Sequence, residues 1–94
     1  MGQLFQRIRK AVREERYVIG RHANERLRER RIPAWQVISG SEHGKLLVER
    51  PATSPNPIVE VQQTLADGTP IKAVWAWLSR SRLAKLVTVH FFDK

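Results

Sequence analysis

The hydrophobic pattern of this chain changes period once, near Lys45, and that change restricts the fold more than any other feature of the sequence. Before it, apolar residues recur at helical spacing. Leu4, Phe5, Ile8, Ala11 and Val12 follow the i, i+1, i+4, i+7, i+8 series of one helical face, while Arg7, Arg9, Lys10 and Arg13 fall outside it, which predicts an amphipathic helix over residues 3–14. Tyr17, Val18 and Ile19 form a short β-prone stretch stopped by Gly20. Residues 21–31 (RHANERLRERR) are rich in helix formers, but their only apolar members are Ala23 and Leu27, so this second helix has a thin core stripe and a broad charged face. Pro33 disfavours helical geometry at Ile32 and breaks it. A short third helix is then expected, with Trp35 and Ile38 facing inward and Gly40 or Gly44 ending it.

After Lys45 the texture is that of strands: KLLVER, IVEVQQTL, PIKAVWAWL and RLAKLVTVHFF. Asp67-Gly68 is a hairpin signal, and residues 79–82 make a short polar turn, so neither connection has room for a crossover helix. Residues 51–57 form a Pro-punctuated loop. The last two strands are apolar on both faces and belong at the sheet centre. Helices followed by strands give an α+β fold, with N-terminal helices packed on a four-stranded antiparallel sheet. A single domain over residues 1–94 is expected: an N-terminal helix (1–15), a short strand with two helices (16–44) and an antiparallel meander (45–94).

The composition is 41% hydrophobic and 28% charged, which suits a globular domain and not a disordered chain. There is no Cys, so disulfides, thiolate metal ligands and Cys nucleophiles are excluded. The first residues lack a secretory apolar core, and no later run approaches the ~20 residues of a bilayer span, which leads us to expect a soluble cytoplasmic protein without a membrane partner. Met1-Gly2 is not a myristoylation signal, because the sixth position holds Gln6. The net charge is +8, and residues 1–31 carry ten Lys/Arg against four Glu, so six of the eight excess charges fall in the first third. A field concentrated in this way attracts phosphate backbones, and RNA is the expected partner. The candidate phosphate contacts are Arg7, Lys10, Arg13, Arg21, Arg28, Arg31 and Arg82.

His22, Arg26 and either Glu29 or Arg30 recur at helical intervals, which aligns an imidazole with one or two guanidiniums. Such a set supports general acid–base catalysis beside a phosphate clamp, although surface pairing of Arg with Glu gives the same spacing. His90 lies in the last strand, on the side of Leu86, Thr88 and Phe92 by strict alternation; it is a second candidate acid or base, or a core histidine with a polar partner. His43 has no pattern around it. Histidines at 22, 43 and 90 match no compact ligand motif, so no metal is expected, and the missing GxxxxGK, GxGxxG and GxSxG motifs leave no cofactor expected either. Trp75 and Trp77 share a strand face and suit core packing better than base stacking.

The stretch GRHANERLRERRIP, closed much later by LVTVHFF, resembles an uncharacterised bacterial domain family with the helix motif H-A-x-x-R-x-x-x-R-x-I, matched here at His22, Ala23, Arg26, Arg30 and Ile32. Arg31 departs from it, because the family often has Gly there. The resemblance covers about residues 17–92, and only the helix motif is specific. The family is similar in layout to the RelE and BrnT group of toxin-antitoxin ribonucleases. That similarity implies a metal-independent endoribonuclease acting on RNA, in association with the ribosome, with a small acidic antitoxin as partner. It further implies His22 or His90 as acid or base, and Arg26, Arg30 and Arg82 as phosphate ligands. Two other readings stay open at this point. One is a non-catalytic nucleic-acid-binding protein that uses the helix pair at 21–42, and the other is an interaction module whose Arg-rich face binds an acidic protein. The oligomeric state is left open.

Overall fold

A computed structural model describes residues 2–92. The elements run α1 (Gln3–Arg13), β1 (Tyr17–Ile19), α2 (Arg21–Glu29), α3 (Ala34–Gly40), a 3₁₀ turn (Ser41–His43), β2 (Lys45–Arg50), β3 (Ile58–Thr64), β4 (Pro70–Leu78) and β5 (Leu83–Phe91). The architecture is α+β, but the sheet has five strands in the order β1-β5-β4-β3-β2 and is mixed. Strands β2 to β5 form the antiparallel meander. The added strand is β1, which pairs in parallel with β5 from Tyr17↔Ala84 to Ile19↔Leu86. A purely antiparallel four-stranded sheet is therefore corrected to a five-stranded mixed one. A tripeptide carries too little periodicity to announce a sheet position, and its partner lies some 67 residues downstream.

Helix α1 buries the stripe read from its sequence, Leu4, Phe5, Ile8, Ala11 and Val12. Its first turn has no acidic residue of its own. The need is met from β2, where the Glu49 carboxylate accepts the Phe5 N–H at 2.8 Å. The helix stripes meet Val59, Val61, Ile71, Ala73, Trp75, Trp77, Leu86 and Val89 in one core, so one face of the sheet is covered by helices. In α3 the inward residue is Val37, with Ala34 and Ile38 packed beside it, whereas Trp35 is 66% exposed. The expected inward Trp35 is thus corrected. Pro33 caps the helix from outside in an extended conformation, which starts the helix at Ala34 and turns Trp35 off the Ala34–Val37–Ile38 stripe.

Both α1 and α2 end in a Schellman arrangement. After α2, the Ile32 N–H reaches back to the Leu27 carbonyl at 2.9 Å and the Arg31 N–H to the Arg28 carbonyl at 3.2 Å. Arg31 sits between them at φ 53°, a left-handed conformation that favours glycine. Ile32 and Leu27 are both buried and complete the motif with an apolar contact.

Strand β5 changes face midway. Val74 pairs with Thr88 and Trp75 with Leu86, which leaves Val87 as an extra residue. Leu86 and Val89 therefore both point into the core, while Thr88 and His90 point to the opposite face. Strict alternation would have put His90 beside Leu86, and the bulge at Val87 corrects that placement.

Candidate functional site

The β1 strand ends opposite Leu86, so no strand pairs with the outer edge of β5 from Val87 onward among the described residues. Helix α2 packs along β5 instead. Gly20 sets its start. The Gly20 N–H donates to the Leu86 carbonyl at 2.9 Å, and a Cβ on this glycine would stand 2.9 Å from that same oxygen. Only a residue without a side chain lets the chain leave β1 this close to β5 and turn at once into α2. Ala23 and Leu27 then anchor the helix in the core, which leaves residues 22, 26 and 30 on a stripe running beside the end of β5.

His22 is exposed, and Arg26, Arg30 and His90 are half-buried. Arg26 donates to Glu29 at 2.6 Å, and Arg30 lies 3.7 Å from the same carboxylate. The Arg30 guanidinium also stands over the Phe91 ring, 5.6 Å from its centre, and its Nε is buried without a hydrogen-bond partner. The α2 stripe is thereby held against β5 next to His90. Across the sheet His90 faces Lys72 of β4. The Lys72 ammonium lies 3.4 Å from Glu60, which also meets Arg50 at 3.3 Å.

Burial holds the His90 imidazole below its usual value of 6.5, and the positive charges of Lys72, Arg30, Arg26 and His22 act in the same direction. An imidazole beside Lys72, Arg26 and Arg30 sits where an anion is welcome, with a group that exchanges protons at hand. The structure thus gathers His22, Arg26, Arg30 and His90, four residues that the sequence separates by up to 68 positions. It adds Lys72, which sequence reading missed. The signal was a lone Lys inside the apolar run PIKAVWAWL, and only the register of β4 against β5 gives it meaning.

The other basic candidates divide. Arg7, Lys10 and Arg82 line a cleft of about 690 Å³ between α1 and the β4–β5 turn, with Arg16 and Trp77. Arg7 stands over Trp77, 5.8 Å from the ring centre. Arg21, Arg28 and Arg31 are exposed on and after α2. Arg13 is engaged elsewhere: its guanidinium donates to the Glu42 carboxylate at 2.9–3.2 Å, which holds Glu42 below the usual carboxylate range. Trp75 and Trp77 are buried core residues. His43 is exposed and stands apart from the α2–β5 cluster, in the turn before β2. Among the described residues, no group of three or more His, Asp or Glu is placed to hold a metal ion, and no helix is long and apolar enough to cross a membrane.

Comparison with curated proteins and with solved structures finds no match. A family described as a domain of unknown function (DUF4258) matches residues 19–91, a span that contains both His22 and His90. With more than half of its length so matched, the chain belongs to this family.

Proposed function

We propose that this domain is a metal-independent endoribonuclease of the toxin type, acting on RNA at the α2–β5 cluster. The observation that carries the reading is the placement of His90 opposite Lys72 on the sheet and beside the α2 stripe of His22, Arg26 and Arg30, whose last member stands over Phe91. RNA cleavage without a metal needs a base for the ribose 2′-hydroxyl, cations for the charge that develops on phosphorus, and an acid for the departing 5′-oxygen. His90 takes the 2′-hydroxyl proton. The oxygen attacks the adjacent phosphorus, and Arg26, Arg30 and Lys72 stabilise the charged phosphorane. His22 then gives a proton to the 5′-oxygen as its bond to phosphorus breaks, leaving a 2′,3′-cyclic phosphate and a 5′-hydroxyl. Glu29 keeps the two guanidiniums aligned until the phosphate displaces it, and Glu60 does the same for Lys72. The layout of helices on one face of a largely antiparallel sheet supports the analogy with RelE-like and BrnT-like toxins. On that analogy, a small acidic antitoxin is the expected protein partner and the ribosome a site of action.

Induced expression in a bacterial host tests the reading, with soluble protein matched between wild type and His22→Ala. Loss of colonies with the wild type, new 5′-hydroxyl RNA ends in those cells and relief by His22→Ala support it. Equal survival with no new RNA ends refutes it.

A non-catalytic nucleic-acid-binding role is the second reading. It is favoured by the cleft at Arg7, Lys10 and Arg82, which is basic but lined by no histidine. That role predicts salt-sensitive RNA binding without strand scission.

A further inference from the structure

The cleft and the α2–β5 cluster are joined by β1. Arg16, at the entrance of this strand, lines the cleft and donates to the Arg82 carbonyl at 2.6 Å, while the Ala84 N–H donates to the Arg16 carbonyl at 3.1 Å. At the exit of the strand stands Arg21, with its side chain 95% exposed, followed by His22. Between them Lys85 pairs with Val18, and its aliphatic stem lies against Gly20, so its ammonium is carried along the strand toward the start of α2. Of the carboxylates close to this path, Glu14 is bound by Arg16 at 2.7 Å and Glu25 lies 4.0 Å from Arg21. Cationic groups therefore follow one another from Arg7, Lys10 and Arg82, past Arg16 and Lys85, to Arg21. The path starts on α1 and the β4–β5 turn, passes β1, the outer strand of the sheet, and ends at the start of α2.

We infer that this edge is a single track for the backbone of single-stranded RNA, with the cleft as an anchoring site upstream or downstream of the α2–β5 cluster. The inference rests on the RNA reading above and adds a length requirement to it. Five residues separate Arg16 from Arg21, a reach of roughly 17 Å for extended chain. With a binding site at either end, the whole track is longer than a four-residue oligonucleotide. An oligonucleotide of four residues occupies either the cluster or the cleft. One of twelve reaches both, and its second contact forms at the high effective concentration of a tethered ligand.

The test is a titration with fluorescent 2′-O-methyl oligonucleotides of four and twelve residues, which bind but cannot be cleaved. The wild type is expected to hold the 12-mer about tenfold or more tightly than the 4-mer. In Arg7→Ala/Lys10→Ala the ratio is expected to fall to within about threefold, with the slope of log affinity against log salt reduced by about 1.4 for two lost contacts. Arg82→Gly, which suits the left-handed backbone there (φ 56°), guards against a misfolded double variant and is expected to shift the ratio the same way. Lys45→Ala, which removes a charge on β2 at the far edge of the sheet, should leave the ratio near the wild-type value. Equal binding of the two lengths by the wild type overturns the track alone, as does a length preference that survives both cleft variants. Absence of binding at either length overturns the RNA reading beneath it.

Discussion

His90 and Lys72 stand directly opposite each other on β5 and β4, on the sheet face turned away from the helices. An imidazole that is partly buried, faces an ammonium and is flanked by Arg30 and Arg26 loses its proton more readily than one in water. Protonating it in the folded state costs more than in the unfolded chain. Its folded pKa is lowered, so the unfolded chain binds more protons between the two values, and stability rises with pH across that window. The contribution is full above pH 6.5, the ordinary imidazole value, and is lost as pH falls through the lower folded value. Denaturant midpoints measured from pH 7.5 down to 4.5 should therefore decline more steeply for the wild type than for His90→Gln. Parallel curves would show that neither burial nor these charges disfavour the protonated His90.

Gly20 gives a second expectation. A methyl group there meets the Leu86 carbonyl oxygen at 2.9 Å and the Lys85 stem at 2.9 Å, and the backbone oxygen cannot swing aside. Gly20→Ala should cost about 1–3 kcal/mol in urea unfolding, the range for overpacking a fixed environment. It should also displace the start of α2 and weaken RNA binding. A neutral effect would mean that β1 and α2 are not held as closely against β5 as described.

At Arg31 the expectation has the opposite sign. The left-handed conformation costs a non-glycine residue roughly 1–2 kcal/mol, and glycine returns about 0.5–1 kcal/mol of that through its greater unfolded-state freedom. Arg31→Gly should therefore stabilise the domain by about 0.5–1 kcal/mol, visible as a rise of several degrees in melting temperature. A fall would contradict the Schellman geometry at the end of α2.

The ease with which each part could be read from sequence follows from how locally it is determined. The α1 stripe, the Asp67-Gly68 turn and the His22–Arg26–Arg30 stripe depend on neighbours three or four residues away, and the helical period exposes them. The pairing of β1 depends on a partner 67 residues distant, and three residues cannot encode it. The bulge at Val87 adds one residue without breaking the alternation visible in LAKLVTVHF, so the face of His90 could be known only from its register with β4. Lys72 was hidden for the same reason. Trp35 misled because its size suggested burial, whereas the helix phase set by Pro33 placed Val37 inside. The candidate site is thus half local and half topological: α2 supplies the part that spacing reveals, and the β4–β5 register supplies the rest.

The central claim is that His90 and the α2 cations act together on one phosphate, and the direct measurement is cleavage of end-labelled RNA by purified protein in excess EDTA. The account predicts fragments ending in 2′,3′-cyclic phosphate. It also predicts a rate about 10²–10⁴-fold lower for His90→Ala, and an effect of Arg26→Ala that shrinks sharply once His90 is already gone. No cleavage by the wild type, or cleavage that His90→Ala leaves unchanged, would contradict it.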